Sequence, residues 1–372
     1  MRIGLNALLC SSGRNYRRTG VSRYVDELVR HLARLEPDDE LIAYVGKEFA
    51  PDGWEGVQLR RTIVPIEKPP VRIMWEMAAL PIVNRRDHLD LFHGTVNTIP
   101  AGLRSPAVVT VHDLAFLKFP GQVTAKRYQY LRRMIRSSVR RADIVLVPSS
   151  ATRVDVVEAF DVDPGRVIVT PLGVQSGFRP ASADAISVAR KSFGLQKPYI
   201  LTVGTLEPRK NLPSLVRAFA DLRDDIPHDL VLAGPDGWLM DEIEETIRES
   251  GIQERVRRTG YAEDDALVAL YSGADVVAIP SHYEGFGLPV LEAMATGAPV
   301  LTSNLSSLPE VAGDAALLVD PTRVDAIADG LRRLLESDTL REQLRIAGPA
   351  QAAKFTWERT ATLTRDAYQR IA

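Results

Sequence analysis

Two glutamates stand eight residues apart in the stretch AIPSHYEGFGLPVLEAMATGAP, which spans residues 278–299. The stretch begins as an apolar strand and passes through a glycine-bearing loop with Glu284. It then enters a predicted helix with Pro289 in its first turn and Glu292 one turn in. Backbone N–H groups and the dipole at such a helix start favour an anion. Two carboxylates beside an anion would repel it unless they bind neutral hydroxyl groups. A sugar nucleotide carries both, because its pyrophosphate lies between two rings rich in hydroxyls. The alternative is a solvated glutamate pair on an ordinary strand–helix unit.

A basic pair forms the second group of candidate residues. Arg209 and Lys210 lie in GTLEPRKNL, just before a predicted helix with Pro213 in its first turn. A guanidinium fork and an ammonium beside a helix start can hold a pyrophosphate. The alternative is an exposed basic pair without a role.

A histidine follows the predicted strand VVTV. At a strand end, His112 could donate a hydrogen bond to a substrate or act as acid or base near neutral pH. The alternative is a core histidine satisfied by the backbone. The neighbouring Asp113 is predicted to cap the following turn.

The segment KRYQYLRRMIRSSVRR (126–141) predicts a basic amphipathic helix. It has seven basic residues and no acidic ones, and its apolar residues recur every three to four positions. Such a helix can lie on anionic lipid or hold an anionic acceptor. A solvated helix face is the alternative.

Other patterns exclude several classes of protein. Asp161 and Asp163 lie in the predicted turn DVDPGRV rather than in a metal site, and no His, Cys and carboxylate cluster has metal-ligand spacing. We therefore expect no metal. No G-x-G-x-x-G motif follows the first strand, which argues against a nicotinamide enzyme, and there is no Walker loop.

The composition is that of an ordinary globular enzyme. The chain has 372 residues, of which 45% are hydrophobic and 25% charged, with a formal net charge of −2. These values argue against disorder and give no case for nucleic-acid binding. The single cysteine, Cys10, fits a reducing compartment, and we find neither a signal peptide nor an apolar run of about 20 residues. The predicted location is cytoplasmic.

Apolar strands alternate with helical segments along the chain, which predicts an α/β fold with parallel sheets. The alternation lapses at 170–180 and then restarts, which indicates two doubly wound domains. Ligands bind outside the carboxyl ends of parallel strands, and four loops with unusual chemistry lie there, so we expect a cleft between the domains. The four loops are 13–20, 112–113, 205–210 and 284–287.

Together these motifs resemble the family 4 retaining glycosyltransferases of the GT-B fold, over nearly the whole chain. The fold would consist of two Rossmann-like domains facing each other across a cleft. The strongest match is residues 281–321, which resemble the E-x7-E signature and the segment after it. Further segments match in order: MWEMAALP, TVHDLAF, GTLEPRKNL, LAGPDGW and GYAEDDALVALY.

The resemblance implies a role for each matching residue. Glu292 would bind the ribose hydroxyls, Glu284 would face the donor sugar, and Arg209 and Lys210 would neutralise the leaving diphosphate. His112 would contact the donor sugar and, with those three, form the catalytic group. The further donor-binding residues implied are Gly20, Thr205, Gly285, Phe286, Gly287 and Leu288.

Two departures from the family pattern concern these roles. Thr205 stands where related enzymes often have a basic residue, so Arg209 would carry more of the phosphate charge. The first loop, which holds Arg14, Arg17 and Arg18, is longer than the family's short form and leaves the role of Gly20 open.

The resemblance also implies an activity and domain limits. Residues 1–174 with 357–372 would bind the acceptor, and residues 175–356 the nucleotide-sugar donor. The expected reaction moves a hexose, mannose from GDP-mannose, to a glycan or lipid-linked acceptor without a metal cofactor. UDP-sugars as donors, an epimerase and a non-catalytic sugar-nucleotide sensor stay open. Independently of the resemblance, the basic amphipathic pattern of residues 126–141 indicates a contact with anionic lipid, which would place the protein at the inner face of the membrane.

Overall fold

In the computed structural model, the described residues are 1–10, 20–35, 38–66, 68–237 and 240–371. The predicted first loop with Arg14, Arg17 and Arg18 lies outside them. The described chain divides into two compact units, residues 1–173 with 356–372 and residues 174–355. The predicted domain limits differ from these by one residue at each junction.

The first unit is built on a parallel sheet with seven strands among the described residues, in the order β3-β2-β1-β4-β5-β6-β7. The central strands are buried on both faces, which explains their continuous apolar sequences. The strands are β1 Arg2–Asn6, β2 Glu40–Val45, β3 Gln58–Arg61, β4 Leu91–Gly94, β5 Ala107–Thr110, β6 Ile144–Val147 and β7 Val167–Val169.

The second unit has its own parallel sheet, with six strands among the described residues in the order β10-β9-β8-β11-β12-β13. Its core packs Leu215 and Phe219 of one crossover helix and Leu331 of another against Ile200 and Leu230 of the sheet. The strands are β8 Tyr199–Val203, β9 Asp229–Ala233, β10 Val256–Gly260, β11 Val276–Ile279, β12 Val300–Ser303 and β13 Leu317–Val319.

Helices connect these strands. In the first unit they are α1 Gly20–Leu35, α2 Pro69–Met74, α3 Leu80–Asp87, α4 Ala115–Lys118, α5 Ala125–Arg141 and α6 Ser150–Phe160. In the second they are α7 Ala183–Ser192, α8 Leu212–Asp221, α9 Met240–Glu249, α10 Asp264–Ser272, α11 Leu288–Ala295, α12 Leu308–Ala312, α13 Val324–Glu336 and α14 Asp338–Ala352.

The last helix, α15 Trp357–Gln369, belongs to the first unit, although it follows the second along the chain. It packs on α1. Its Thr360 hydroxyl donates a hydrogen bond of 2.6 Å to the carbonyl oxygen of Pro171. Its Tyr368 hydroxyl lies 2.6 Å from Nδ1 of the buried His93 on β4. These buried polar contacts therefore attach α15 to the first unit.

The predicted α/β class with two doubly wound sheets is confirmed. The edge strand β3 was not predicted, because it is polar and half-exposed. A strand after the turn DVDPGRV was predicted, and β7 lies there. The sequence predicts a helix over VRIMWEMAALPIVNR, and the structure has a π-helical segment, Trp75–Ala79, between α2 and α3 there. The sequence predicts that a helix starts at Leu239, which lies outside the described residues. It also predicts that the tail after Asp325 is helical throughout, whereas the structure has breaks at Ser337 and at 353–356.

Candidate functional site

An ion-pair cluster lies in the second unit, where the loops after β8 and β11 meet. Arg209 donates from Nη1 to Oε2 of Glu284 at 2.6 Å, and Lys210 donates from Nζ to Oε1 at 2.5 Å. The Ser281 hydroxyl donates to the same Oε1 at 3.0 Å. Three predicted site residues that stand up to 75 positions apart are therefore in direct contact.

Glu284 is ionised in this cluster. Its side chain is buried, which by itself raises the pKa, but the charges of Arg209 and Lys210 and their hydrogen bonds lower the pKa to about 2. A permanent carboxylate with two cations beside it can accept hydrogen bonds from sugar hydroxyls while the cations face an anion.

A second carboxylate, Glu207, completes the cluster and was not predicted from the sequence. It is buried and forms an ion pair with Nε of Arg209. Burial raises the pKa of Glu207, while Arg209 and Lys210 oppose that rise. Arg209 is thus held between two carboxylates, which fixes the direction of its guanidinium. The Glu two positions before Arg209 was the sequence signal that could have revealed it.

Asn211 anchors the basic pair to the sheet. Arg209 and Lys210 lie on a 3₁₀ turn, Pro208–Lys210, that ends at Asn211 with φ of 58°. Asparagine tolerates this left-handed conformation better than most residues. Its buried Nδ2 donates to the carbonyl oxygens of Pro280, at 3.1 Å, and Pro321, at 2.6 Å. The turn is therefore tied to the segments that follow β11 and β13, two strands of the same sheet.

The predicted glycine loop, Gly285 to Gly287, leads into α11. Gly287 has φ of 110°, and a Cβ there would lie 2.7 Å from Cδ2 of Leu308, so only glycine fits. Within the described residues, the N–H groups of Gly287 and Leu288 donate no hydrogen bond. The hydroxyl of Ser307 lies 2.8 Å from the carbonyl oxygen of Glu284 and 2.7 Å from that of Phe286. Ser307 thus holds the carbonyl side of the loop. The two N–H groups at the start of α11 can therefore donate hydrogen bonds to an anion.

Glu292 lies on α11 and is buried. Its Oε2 accepts a hydrogen bond of 3.1 Å from the hydroxyl of Tyr271, on α10. Tyr271 was not predicted as a site residue, although it lies in the matching segment GYAEDDALVALY. The two glutamates therefore have different partners. Glu284 contacts the cations Arg209 and Lys210, whereas Glu292 contacts the phenol of Tyr271.

The loop after β8 approaches the loop after β9 closely. Gly204 and Gly234 both have φ near 140°, and a Cβ on Gly234 would collide with the backbone of Gly204. Thr205, which follows, is half-buried. Arg209 and Lys210 are the cations that this loop contributes to the cluster. That Arg209 carries more of the phosphate charge in the presence of Thr205 stays a prediction.

His112 lies in the first unit, two residues beyond β5, and is buried. Burial lowers its pKa, although the hydrogen bond to Thr95 opposes this, so the ring is neutral near pH 7. Its Nε2 must carry the proton, because it donates to the carbonyl oxygen of Thr95 at 2.9 Å. That leaves Nδ1 as an acceptor, whereas the sequence left open a hydrogen-bond donor and an acid or base. Asp113 Oδ1 accepts from the N–H of Ala115 at 2.9 Å, which confirms the predicted cap.

The remaining candidates of the first unit lie at helices. Gly20 is the exposed first residue of α1. Asp161 ends α6 in a left-handed conformation, and Asp163 Oδ1 accepts from the N–H of Gly165, so both shape a turn as predicted. In the ranges that the structure describes, no group of three His, Cys, Asp or Glu side chains is arranged to hold a metal ion. Nor is any described helix both long and apolar enough to cross a bilayer.

Comparisons with known proteins identify the family. The model of the glycosyl transferases group 1 matches residues 186–351, and that of Glycosyltransferase Family 4 matches residues 18–177. The O-antigen chain mannosyltransferase B of Escherichia coli is 34% identical over 95% of this chain and 97% of its own. The chain belongs to the family 4 glycosyltransferases. The predicted family, the GT-B fold and the class of enzyme are therefore confirmed.

Two further relatives agree with this assignment. The serotype-specific mannosyltransferase WbdA of Escherichia coli is 31% identical over 71% of this glycosyltransferase, which spans only 33% of WbdA. The sucrose-phosphate synthase of Thermosynechococcus elongatus has the same fold, with a TM-score of 0.79 and 23% identity. That comparison covers 99% of this chain and 98% of the synthase.

Proposed function

We propose that this glycosyltransferase moves mannose from GDP-mannose to a glycan acceptor with retention of the anomeric configuration. The observation that carries the proposal is the cluster of Arg209, Lys210 and Glu284 beside the start of α11. It brings together two cations, an ionised carboxylate and the two N–H groups of Gly287 and Leu288. A diphosphate and the hydroxyls of a sugar need this combination.

Each group has a distinct task in the proposed donor complex. Arg209 and Lys210 neutralise the diphosphate as its bond to the sugar breaks, which is an electrostatic contribution to the transition state. Glu284 accepts hydrogen bonds from sugar hydroxyls, and Glu292, positioned by Tyr271, accepts them from the ribose. Gly285, Phe286, Gly287 and Leu288 contribute backbone contacts.

The neutral His112 accepts a hydrogen bond at Nδ1 from a hydroxyl of the donor sugar. We name no protein nucleophile. The incoming hydroxyl would attack from the face that the diphosphate leaves, and its proton would go to the departing phosphate. No metal is needed, because the two cations carry the charge compensation.

The choice of mannose rests on relatives. The protein with 34% identity over nearly the full length is named O-antigen chain mannosyltransferase B, and WbdA is also named a mannosyltransferase. The guanine base rests on the resemblance of the motifs alone, so UDP-sugars form a necessary arm of the test. The corresponding acceptor is a mannose-containing glycan, free or carried on a lipid.

Helix α5 would bring the enzyme to a membrane that carries such an acceptor. Its exposed face is basic, and Tyr130 on it is 38% exposed. Cationic helices with an exposed aromatic residue bind anionic lipid surfaces. The exposed basic side chains are Lys126, Arg127, Arg132, Arg133, Arg136, Arg140 and Arg141.

Transfer to a defined acceptor tests the proposal. The protein is incubated with octyl α-mannoside and either GDP-mannose, UDP-glucose or UDP-galactose, with and without EDTA. We expect a dimannoside from GDP-mannose alone, with an α linkage by NMR and an unchanged rate in EDTA. Loss of turnover in EDTA would refute the metal-free mechanism, and a β linkage would refute retention.

The same incubation separates the competing functions. Product from a UDP-sugar alone would replace GDP-mannose as the donor. A converted free nucleotide sugar in the absence of acceptor would identify an epimerase. Tight GDP-mannose binding without any product from a wide acceptor panel would favour a sensor.

A further inference from the structure

A buried carboxylate in the first unit belongs neither to the donor cluster nor to the residues predicted for it. Glu76 is 9% exposed and lies in the π-helical segment Trp75–Ala79 between α2 and α3. Segments of this kind are rare and occur frequently at functional sites. The carboxyl group lies beside Asn6, the last residue of β1, and thus at the carboxyl edge of the sheet.

Glu76 is poorly satisfied by its neighbours. Asn6 Nδ2 lies 3.5 Å from Oε1, at the limit of a hydrogen bond, and Arg72 Nε lies 3.9 Å from the same oxygen. Within the described residues, Oε2 accepts no hydrogen bond. Burial raises the pKa of Glu76, and Arg72 and Asn6 only partly offset this. Because buried carboxyl groups are normally fully paired, a group in this state suits donors supplied by a ligand.

Glu76 is linked to His112 by a chain of hydrogen bonds along this edge of the sheet. The Thr95 hydroxyl donates to the carbonyl oxygen of Asn6, and the Thr95 carbonyl accepts from Nε2 of His112. Asn6 in turn faces Glu76. Two hydrogen-bond acceptors, the Glu76 carboxyl and the His112 Nδ1, are therefore held by one network. Two hydrogen-bond acceptors held by one network suit a ligand rich in hydroxyl groups.

An aromatic surface lies close by. Burial raises the pKa of Tyr130 on α5, the charge of Glu76 raises it further and that of Arg72 lowers it. Tyr130 is 38% exposed and lines an open groove of about 580 Å³. A phenol ring combines an apolar face with a polar tip, as a sugar ring does. The groove is lined by Ala125, Lys126, Gln129, Tyr130, Arg133 and Met134.

We propose that Glu76 binds hydroxyls of the acceptor sugar, with Tyr130 against its ring and Arg72 and Asn6 holding the carboxyl group in place. The inference rests on the proposed glycosyl transfer and adds to it a residue that recognises the acceptor. The ligand class is a neutral sugar with at least two free hydroxyls. Glu76 therefore determines the affinity for the acceptor sugar and does not contribute to binding of the donor.

The test separates acceptor binding from donor binding in Glu76→Gln, which keeps the shape of the side chain. The control is Glu158→Gln, the same change at an exposed position of α6. Initial rates are measured with GDP-mannose and octyl α-mannoside, and GDP affinity is measured by calorimetry. Hydrogen bonds to charged groups are strong, so we expect KM for octyl α-mannoside to rise at least about tenfold in Glu76→Gln. The Kd for GDP should stay within about twofold and the Tm close to that of the wild type.

Two results of these measurements would contradict the proposed role of Glu76. An unchanged KM for the acceptor would overturn the proposal, and so would a parallel loss of GDP affinity and Tm, because either would indicate a structural role. Saturation-transfer NMR of octyl α-mannoside with wild type and Glu76→Gln needs no turnover. If the wild type transfers no sugar, the proposed function fails, and the inference then stands or falls on whether the variant alone loses the NMR signal.

Discussion

At the scale of residues, the charge of Glu284 depends on two neighbours that are contributed by a different loop. Burial alone would favour the protonated acid, but Arg209 and Lys210 lower the pKa to about 2. The unfolded chain has no such partners, and its glutamates titrate near 4.3. The folded state therefore gains stability from this carboxylate above that pH and loses the gain as the pH falls toward 2.

Glu284→Gln should show this dependence directly. A difference of roughly two pKa units corresponds to about 3 kcal/mol of unfolding free energy. We expect the variant to be less stable than the wild type by about that amount at pH 7, because Lys210 keeps no carboxylate partner of comparable strength. The gap should close progressively between about pH 5 and pH 2. Urea unfolding at several pH values measures it.

The matched control is Glu336→Gln, an exposed glutamate at the end of α13. It should follow the wild type at every pH. A gap between wild type and Glu284→Gln that does not change with pH would contradict the assigned ionisation.

How far the sequence predicts a site residue depends on what the residue contacts. Glu284, Arg209 and Lys210 were predictable because they belong to a motif at strand ends. Glu207 and Tyr271 act by holding another side chain, and neither spacing nor residue type reveals that contact. For His112 the residue was predicted, but the free nitrogen was not, because the tautomer depends on the Thr95 carbonyl.

At the scale of elements, α5 combines a packed face with a free one. Ile135 and Val139 are buried against the sheet, whereas Arg136 and Arg140 are exposed one turn apart. The apolar periodicity predicted this helix to within one residue of its start at Ala125. Thr124 is its N-cap, and the Thr124 hydroxyl accepts a hydrogen bond from the N–H of Arg127. The π-helical segment before α3 could not be predicted, since MWEMAALP has an ordinary helical pattern.

The exposed face of α5 predicts binding to anionic vesicles. The double variant Arg136→Gln/Arg140→Gln should bind vesicles with 30% phosphatidylglycerol at least tenfold more weakly than the wild type at low salt, since each basic residue contributes about 1 kcal/mol. The control, Arg85→Gln/Arg86→Gln at the end of α3, removes the same charge from exposed positions in the same unit. Vesicle sedimentation measures both. Equal loss in the two variants, or no binding by the wild type, would reject α5 as the contact.

At the scale of the whole molecule, the chain forms two Rossmann-like units and returns to the first one with α15. All six strands of the second unit were predicted, five from apolar runs and β10 from the mainly polar segment RVRRTGY. The return of α15 could not come from periodicity and was inferred from the family resemblance. That the units face each other across a cleft stays a prediction.

The most direct measurement of the central claim compares the affinities of GDP and GMP for wild type and Lys210→Gln. If Lys210 and Arg209 hold the second phosphate, the wild type should bind GDP at least about tenfold more tightly than GMP, because charge-assisted hydrogen bonds to that phosphate are strong. In Lys210→Gln most of that ratio should disappear, while GMP affinity changes little. The control Arg248→Gln, on the exposed side of α9, should keep the ratio. An undiminished preference for GDP in Lys210→Gln would contradict the assignment of this cluster to the donor diphosphate.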